Sequence, residues 1–327
     1  MSILNETLII EKYLKPLIND KYHSLDINDD AAILPSASKN DYIVVSKDAL
    51  AVNVHMLEDD TPYDMAKKSL RVNLSDLASM GSKPVGFLLA LCLSENEDEL
   101  FISEFTRGLK EDIEIFNIPL LGGDIIKKKG PFTVTVTAFG KVKKDYILKR
   151  SNAKENDSLW VTGTIGDSSL GLQVLKNHMF YLSEDDQNFL IDRYRIPQPR
   201  INFINKAAKY LNSCIDISDG IISDIRKIAT SSRLRCHIDI INIPKSPAVL
   251  SALNENISLY ELILNGGDDY ELAFSSNQKN DNLINEIAKE EDLKITKIGY
   301  FTEGNGIELH SLPDQLQGFS ISGYNHT

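Results

Sequence analysis

Six acidic signatures are the residues of this chain best suited to chemistry. They are Asp29-Asp30, Ser46-Lys47-Asp48, Ser75-Asp76, Gly122-Gly123-Asp124, Asp216-Ile217-Ser218-Asp219-Gly220 and Gly266-Gly267-Asp268-Asp269-Tyr270-Glu271. Almost all fall at the end of a predicted strand or inside an apolar helix, not on a polar face. Hard cations such as Mg2+ take oxygen ligands: a few carboxylates, water and substrate phosphates. Carboxylates converging from several elements are what a nucleotide–Mg2+ site needs, whereas no spacing here matches a calcium-binding EF-hand loop. Each motif also has a plain structural reading. Gly-Gly-Asp after a strand can be a tight turn. Ser218 or Asp219 can be a helix N-cap, which is compatible with phosphate binding at the same helix end. Neither a P-loop nor a Gly-x-Gly-x-x-Gly kinase loop occurs, so any use of ATP needs another fold. Of the six histidines, His23, His178, His237, His310 and His326 are scattered; His55 follows the Ser46–Asp48 strand by one loop. Arg150, in Leu148-Lys149-Arg150-Ser151, reads as part of a solvated basic run unless its context says otherwise.

The element that organises these residues is the stretch Val72–Gly81. Val72, Leu74, Leu77, Ala78 and Met80 make it an apolar helix that Gly81 stops. Thr61-Pro62 starts that helix, as a cap followed by proline in the first turn. Asp76 in its middle is costly to bury unless it is paired or ligates a metal; alternatively it faces solvent. Upstream, Glu6–Ile18 has helical spacing and Tyr42–Asp48 reads as a strand. Downstream come a buried strand at Pro84–Leu93, an amphipathic helix at Glu97–Phe116, and strands at Pro119–Ile126 and Phe132–Lys141, the last alternating Thr with Val or Ala. The first half is thus a βαβ-type pattern with antiparallel elements. A charged stretch, Lys143–Asp157, marks a boundary, and we divide the chain into domains at 1–145 and 146–327. The second half reads as strands at Ser158–Thr162, Cys214–Ile217, Arg235–Ile240, Tyr270–Ser275, Thr296–Tyr300 and Ile307–His310. Helices alternate with them at Leu170–Lys176, Ser183–Tyr194, Pro199–Leu211, Ile221–Ser232, Leu259–Leu264 and Asp281–Asp292.

At 327 residues the chain suits two domains. Hydrophobic residues at 42% and charged residues at 25% are ordinary for a globular core. The formal net charge of −12 argues against a nucleic-acid binder, though divalent cations can reverse the local sign for anionic substrates. No apolar run approaches the roughly 20 residues of a membrane span, and the N-terminus has no signal-peptide pattern. Cys92, Cys214 and Cys236 lack metal-like spacing, so free thiols in a reducing cytoplasm are expected.

Taken in order, the motifs resemble the thiamine-monophosphate kinase family of the aminoimidazole ribonucleotide synthetase-like superfamily. The matching pieces are Asp29–Leu34, Val72–Gly81, Leu121–Asp124, Val161–Ser168, Ile215–Asp224, Gly266–Leu272 and the closing Gly323-Tyr324-Asn325-His326. The resemblance implies an α/β N-terminal domain contributing to a dimeric β-barrel and an α+β C-terminal domain, with the active site in the cleft between them. It implies direct, in-line, Mg2+-assisted transfer of the ATP γ-phosphoryl group onto thiamine monophosphate, the last step of thiamine diphosphate biosynthesis. ATP would be the co-substrate, several Mg2+ ions the cofactor, and a cytoplasmic homodimer the working form. By position, Asp30, Ser46, Asp48, Asp76, Asp124, Asp216 and Asp219 would be metal ligands. Asp30, Thr106, Gly123, Asp124, Arg150 and Ser218 would contact ATP, and His55, Asp268 and Tyr324 the thiamine phosphate. No covalent nucleophile or general base is implied. This chain departs from the family pattern at Lys47 (usually Thr), Thr106 (often Tyr), Asp268 (commonly Glu) and its ending Asn325-His326-Thr327. The alternatives are another enzyme of the superfamily, selenophosphate synthetase-like or hydrogenase maturation-like, or an inactive nucleotide-binding regulator. The two enzymes would want a cysteine near the N-terminus or at the C-terminus, and this chain has none before Cys92 or after Cys236.

Overall fold

The structure is a computed structural model; it describes residues 10–17, 21–25, 28–36, 38–179 and 181–312. Helical turns at Ile10–Leu14, Lys15–Leu17 and Lys21–Ser24 lead into the N-terminal sheet. That sheet holds β1 (Ala32–Pro35), β2 (Asp41–Ala51), β3 (Lys83–Leu93), β4 (Leu120–Lys127) and β5 (Thr133–Lys143), in the order β1-β2-β5-β3-β4. Only β3 and β4 run parallel, joined by the crossover helix α2 (Glu99–Phe116), so the expected βαβ unit is this one. The alternation read at 132–141 is real: β5 buries every second residue from Val134 to Val142.

Helix α1 (Pro62–Ser79) lies on β2 and β5 and also reaches β7 of the second sheet. Thr61 caps it, its hydroxyl accepting from the Asp64 amide at 3.1 Å, and Pro62 occupies the first turn where its missing N–H costs nothing. Gly81 ends it at φ +72, with a Cβ there only 2.8 Å from the Tyr146 carbonyl, so neither the turn nor the space suits a larger residue. Almost all of α1 is buried, polar residues included. Arg71 is enclosed through a fork to both oxygens of Asp112 on α2, at 2.7 and 2.8 Å, and a bond to the Pro197 carbonyl at 2.9 Å.

The C-terminal sheet has the order β11-β8-β10-β6-β9-β7. Its strands are β6 (Asp157–Thr162), β7 (Ser213–Asp216), β8 (Leu234–Asp239), β9 (Leu272–Asn277), β10 (Ile295–Glu303) and β11 (Gly306–His310). Around it are α3 (Asp167–Leu175), α4 (Glu184–Arg195), α5 (Ile201–Ala207), α6 (Ile221–Ser232), α7 (Pro247–Glu255), α8 (Leu259–Asn265) and α9 (Asp281–Glu290). One apolar core lies between this sheet and helices α3, α6, α7 and α8. The other is continuous from Leu70, Leu74 and Leu77 of α1 to Trp160, Leu272, Phe274 and Ile284, so the two halves share packing across α1. Helix α7 has no counterpart in the sequence reading, although Ser246-Pro247 is a regular helix start and the Ser246 hydroxyl accepts from Val249 N at 3.1 Å. Helix α3 begins at Asp167, one turn earlier than its apolar pattern suggests. No described helix is long and apolar enough to cross a membrane.

Candidate active site

The carboxylates of Asp30, Asp76 and Asp216 come together with oxygens within 4.8 Å of one another. Each arrives differently: Asp30 from the segment before β1, Asp76 from α1, and Asp216 from the end of β7. All three are oriented by hydroxyls of the same helix or an adjacent strand. Ser79 donates to Asp30 Oδ2 at 2.8 Å, Ser75 to Asp216 Oδ2 at 2.7 Å, and Ser46 of β2 to Asp76. Asp48, two residues along β2 and so on the same face as Ser46, places its charge against Asp76, while its backbone amide donates to Asn73 Oδ1 at 3.1 Å. Arg150 donates to Asp30 through its guanidinium and to Asp29 Oδ1 through its amide at 2.8 Å. Its Nε is buried without a hydrogen-bond partner among the described residues.

Burial, then the charges of Asp48, Asp216 and Asp30, push the Asp76 carboxyl well above the usual range. Burial and then Asp30 do the same to Asp216. Four carboxylates thus face one another with one guanidinium, Arg150, against Asp30. An all-oxygen donor set whose charges repel is what a hard divalent cation neutralises, so these residues fit Mg2+.

A second group lies at the other end of the site. His55 and Asp268 meet at Lys68 of α1, whose Nζ donates to Asp268 Oδ2 at 2.9 Å and to the His55 carbonyl at 3.1 Å. Tyr270 connects the two ends: its hydroxyl donates to Asp268 Oδ1 at 3.3 Å, and burial followed by Asp268, Asp48, Asp216 and Asp76 raises its pKa. The Gly266–Glu271 loop is locked against the Asp216–Gly220 loop. Asp268 N donates to Ser218 O at 2.9 Å, and a Cβ on Gly267 would lie 1.8 Å from that same carbonyl. Behind the loop Glu271, fully buried, accepts from Thr162 at 2.6 Å, from Arg193 at 2.7 Å and from Arg200.

Not every residue singled out in the sequence joins these groups. Asp219 is turned to Lys227 Nζ at 2.6 Å, and the Ser218 and Asp219 amides donate to Asp224. Gly123 and Asp124 lie on β4, the exposed edge of the sheet. In register, Asp48, Val136, Leu89 and Gly123 form one row across β2, β5, β3 and β4. Three strand spacings put Gly123 roughly 14 Å from Asp48, so within one chain this motif is not part of the cluster. Thr106 is exposed on α2, its hydroxyl donating to the Ile102 and Ser103 carbonyls. Tyr324 lies outside the described residues. Sequence reasoning passed over Lys68 and Ser79, and named Ser75 and Tyr270 only as neighbours within acidic motifs. Lys68 and Ser79 share α1 with Asp76, a signal that was available, since residues one or two turns apart face the same way.

The chain matches the family models for AIR synthase related proteins, the N-terminal domain over residues 28–142 and the C-terminal domain over 154–311. It is 34% identical over 327 residues to thiamine-monophosphate kinase of Buchnera aphidicola subsp. Schizaphis graminum, covering 98% of each chain. It is 37% identical over 278 residues to the Escherichia coli K12 thiamine-monophosphate kinase, covering 85% and 84%. The chain belongs to the thiamine-monophosphate kinase family. Among solved structures, one described as AaThiL complexed with AMPPCP and TMP superposes with a TM-score of 0.87 at 27% identity, covering 100% of this chain and 99% of that one. Thiamine-monophosphate kinase from Stenotrophomonas maltophilia K279a gives 0.78 at 32% identity, covering 95% and 98%. The two-sheet α/β fold is therefore that of the thiamine-monophosphate kinase family, and the carboxylate cluster lies where its two domains meet at α1.

Proposed function

We propose that this protein transfers the γ-phosphoryl group of ATP to the phosphate of thiamine monophosphate, giving thiamine diphosphate and ADP. The observation that carries the reading is the Asp30–Asp76–Asp216 cluster at the junction of the two domains, within electrostatic reach of the Lys68–Asp268 group through Tyr270. Membership of the family and the likeness to a relative described with an ATP analogue and TMP support it. We assign Asp30, Asp48, Asp76 and Asp216, with Ser46, to Mg2+. Asp124 and Asp219 complete that set only if they move or are supplied from elsewhere. Bound there, Mg2+ would offset the charge of the two phosphate groups as they approach.

The chain's own residues do the rest. The acceptor is an ionised phosphate oxygen, so no base has to remove a proton. A bond forms from that oxygen to the γ-phosphorus as the bond to the β,γ-bridging oxygen breaks, and the electron pair leaves with ADP. Arg150, with its unpartnered Nε, and the Asp216–Gly220 loop are assigned to the nucleotide. His55 and Asp268 are assigned to the thiamine end, and Tyr324 with them. Ser75, Ser79 and Ser46 hold the carboxylates in place beforehand, so that little rearrangement is needed as charge shifts.

The homodimer with joined N-terminal sheets is also part of this reading. Strand β4 is an unpaired edge whose Leu120, Leu121, Ile125 and Ile126 are 46, 59, 64 and 49% exposed, an arrangement that favours a partner strand. Such joining would take Gly123 and Asp124 into the subunit interface. We divide the domains at 145/146, within the helical turn Lys144–Tyr146 that follows β5, and we place the enzyme in the cytoplasm, in keeping with three free cysteines. The deciding experiment incubates the purified protein with ATP, Mg2+ and thiamine monophosphate and follows thiamine diphosphate by chromatography. Folded protein that forms none refutes the assignment.

A further inference from the structure

Helix α1 carries a further buried charge, Lys68, two turns before Asp76 and on the same face. The residue is 2% exposed, and an ammonium there requires compensation. Besides Asp268 and the His55 carbonyl, its Nζ lies 3.7 Å from the centroid of the Tyr194 ring, a cation–π contact. The Tyr194 hydroxyl donates to that same His55 carbonyl at 3.3 Å. Four segments from both domains therefore meet at one ammonium: α1, the loop after β2, α4 and the Gly266–Glu271 loop.

Asp268 is held on both oxygens, by Lys68 and by the Tyr270 hydroxyl, and yet its side chain stays 36% exposed. Asp268 and Tyr270 have φ of +67 and +50, a left-handed conformation that non-glycine residues keep only when their surroundings enforce it. The carboxylate is thus closed from behind and open in front. A carboxylate so held offers its remaining lone pairs to an amino group or to a cationic heteroaromatic ring, and the organic half of thiamine monophosphate supplies both.

We propose that Lys68 is a positioning residue for the acceptor substrate, acting through Asp268 and the His55 backbone. The inference rests on the function proposed above. Nζ already has Asp268, the His55 carbonyl and the Tyr194 ring around it, so Lys68 works without touching the substrate. Its effect falls on the thiamine end and not on the nucleotide end, because Arg150 and the carboxylate cluster are held by other groups.

The test is steady-state kinetics with ATP, Mg2+ and thiamine monophosphate on the wild type, Lys68→Met, Lys68→Arg, Asp268→Asn and the double variant Lys68→Met/Asp268→Asn. Lys68→Met should raise KM for thiamine monophosphate roughly tenfold or more while KM for ATP stays within about twofold. Lys68→Arg, which keeps the charge, should recover part of that loss. On the Asp268→Asn background, Lys68→Met should add less than about twofold, because the two residues act as one unit. Equal rises in both KM values, or full additivity of the two substitutions, overturn the proposal. If Lys68→Met does not fold, Lys68→Arg decides: a smaller rise confined to thiamine monophosphate supports the proposal, and unchanged kinetics refute it. Wild-type protein without turnover refutes the functional reading and this proposal together; wild-type turnover without the KM split refutes this proposal alone.

Discussion

Replacing Asp76 by Asn should make the metal-free protein more stable while abolishing turnover. The sign follows from the cluster. Asp76 faces Asp30 and Asp216 with oxygens within 4.8 Å, and Asp48 beside it. At that separation two full charges repel by about 3.5 kcal/mol with an effective dielectric near 20. The raised pKa of Asp76 means that protonation already relieves part of this, leaving a net gain of about 2–3 kcal/mol for the neutral amide. Asn keeps an oxygen to accept the Ser46 hydroxyl, so no buried donor is stranded. Taking about 2–4 °C per kcal/mol, the variant should melt roughly 4–12 °C above wild type in chelator. Added Mg2+ should then raise the wild-type melting temperature by ligand linkage and raise the variant's much less. Thermal melts in EDTA and across a Mg2+ titration, with turnover measured on the same samples, check all three points. A variant melting at or below wild type in EDTA, or gaining equally from Mg2+, would refute the reasoning.

Glu271→Ala should lose about 3–5 kcal/mol in urea unfolding at neutral pH, because one buried guanidinium, Arg193, and one half-buried, Arg200, lose this anion. Burial works against the Glu271 charge, but Arg200 and Arg193 outweigh it and hold its pKa below the usual value. Its stabilisation is therefore complete above the unfolded value near 4.3 and is lost as pH falls through the lower folded value, so the gap between wild type and variant should narrow only below about pH 4. Asp124→Asn and Asp76→Asn, each inactive alone, should recover about a quarter of wild-type activity when co-expressed and randomly paired as dimers, if Asp124 serves the neighbouring subunit of a two-fold pair; no recovery would place its role within its own chain.

Much of this arrangement was legible in the sequence, and the limits have physical causes. Thr61-Pro62 and Gly81 bracket α1 through local capping and turn chemistry, which needs no knowledge of distant residues. Asp76 stood out because a carboxylate among apolar residues is costly to bury, and Asp30 and Asp216 were named with it through the order of motifs that carries the family resemblance. Lys68 was not, since its partner Asp268 is 200 residues away and nothing local distinguishes it from Lys67. Gly123-Asp124 reads as a site motif, but its distance from Asp48 depends on the order β1-β2-β5-β3-β4, a non-local property. The pairing of Asp219 with Lys227 depends on how the loop before α6 turns, which spacing alone does not set.

Helix α1 also acts as a ruler. Lys68 and Asp76 are eight residues apart, and at 1.5 Å per residue the anchor for the acceptor and the centre of the carboxylate cluster are separated by about 12 Å along a rigid rod. Inserting one residue between them would lengthen the rod by only about 1.5 Å but would rotate one end against the other by about 100°. The separation between the carboxylate cluster and the group assigned to the thiamine end is thus a count of residues in phase. A single deletion between Leu70 and Ser75 would put the two groups out of phase.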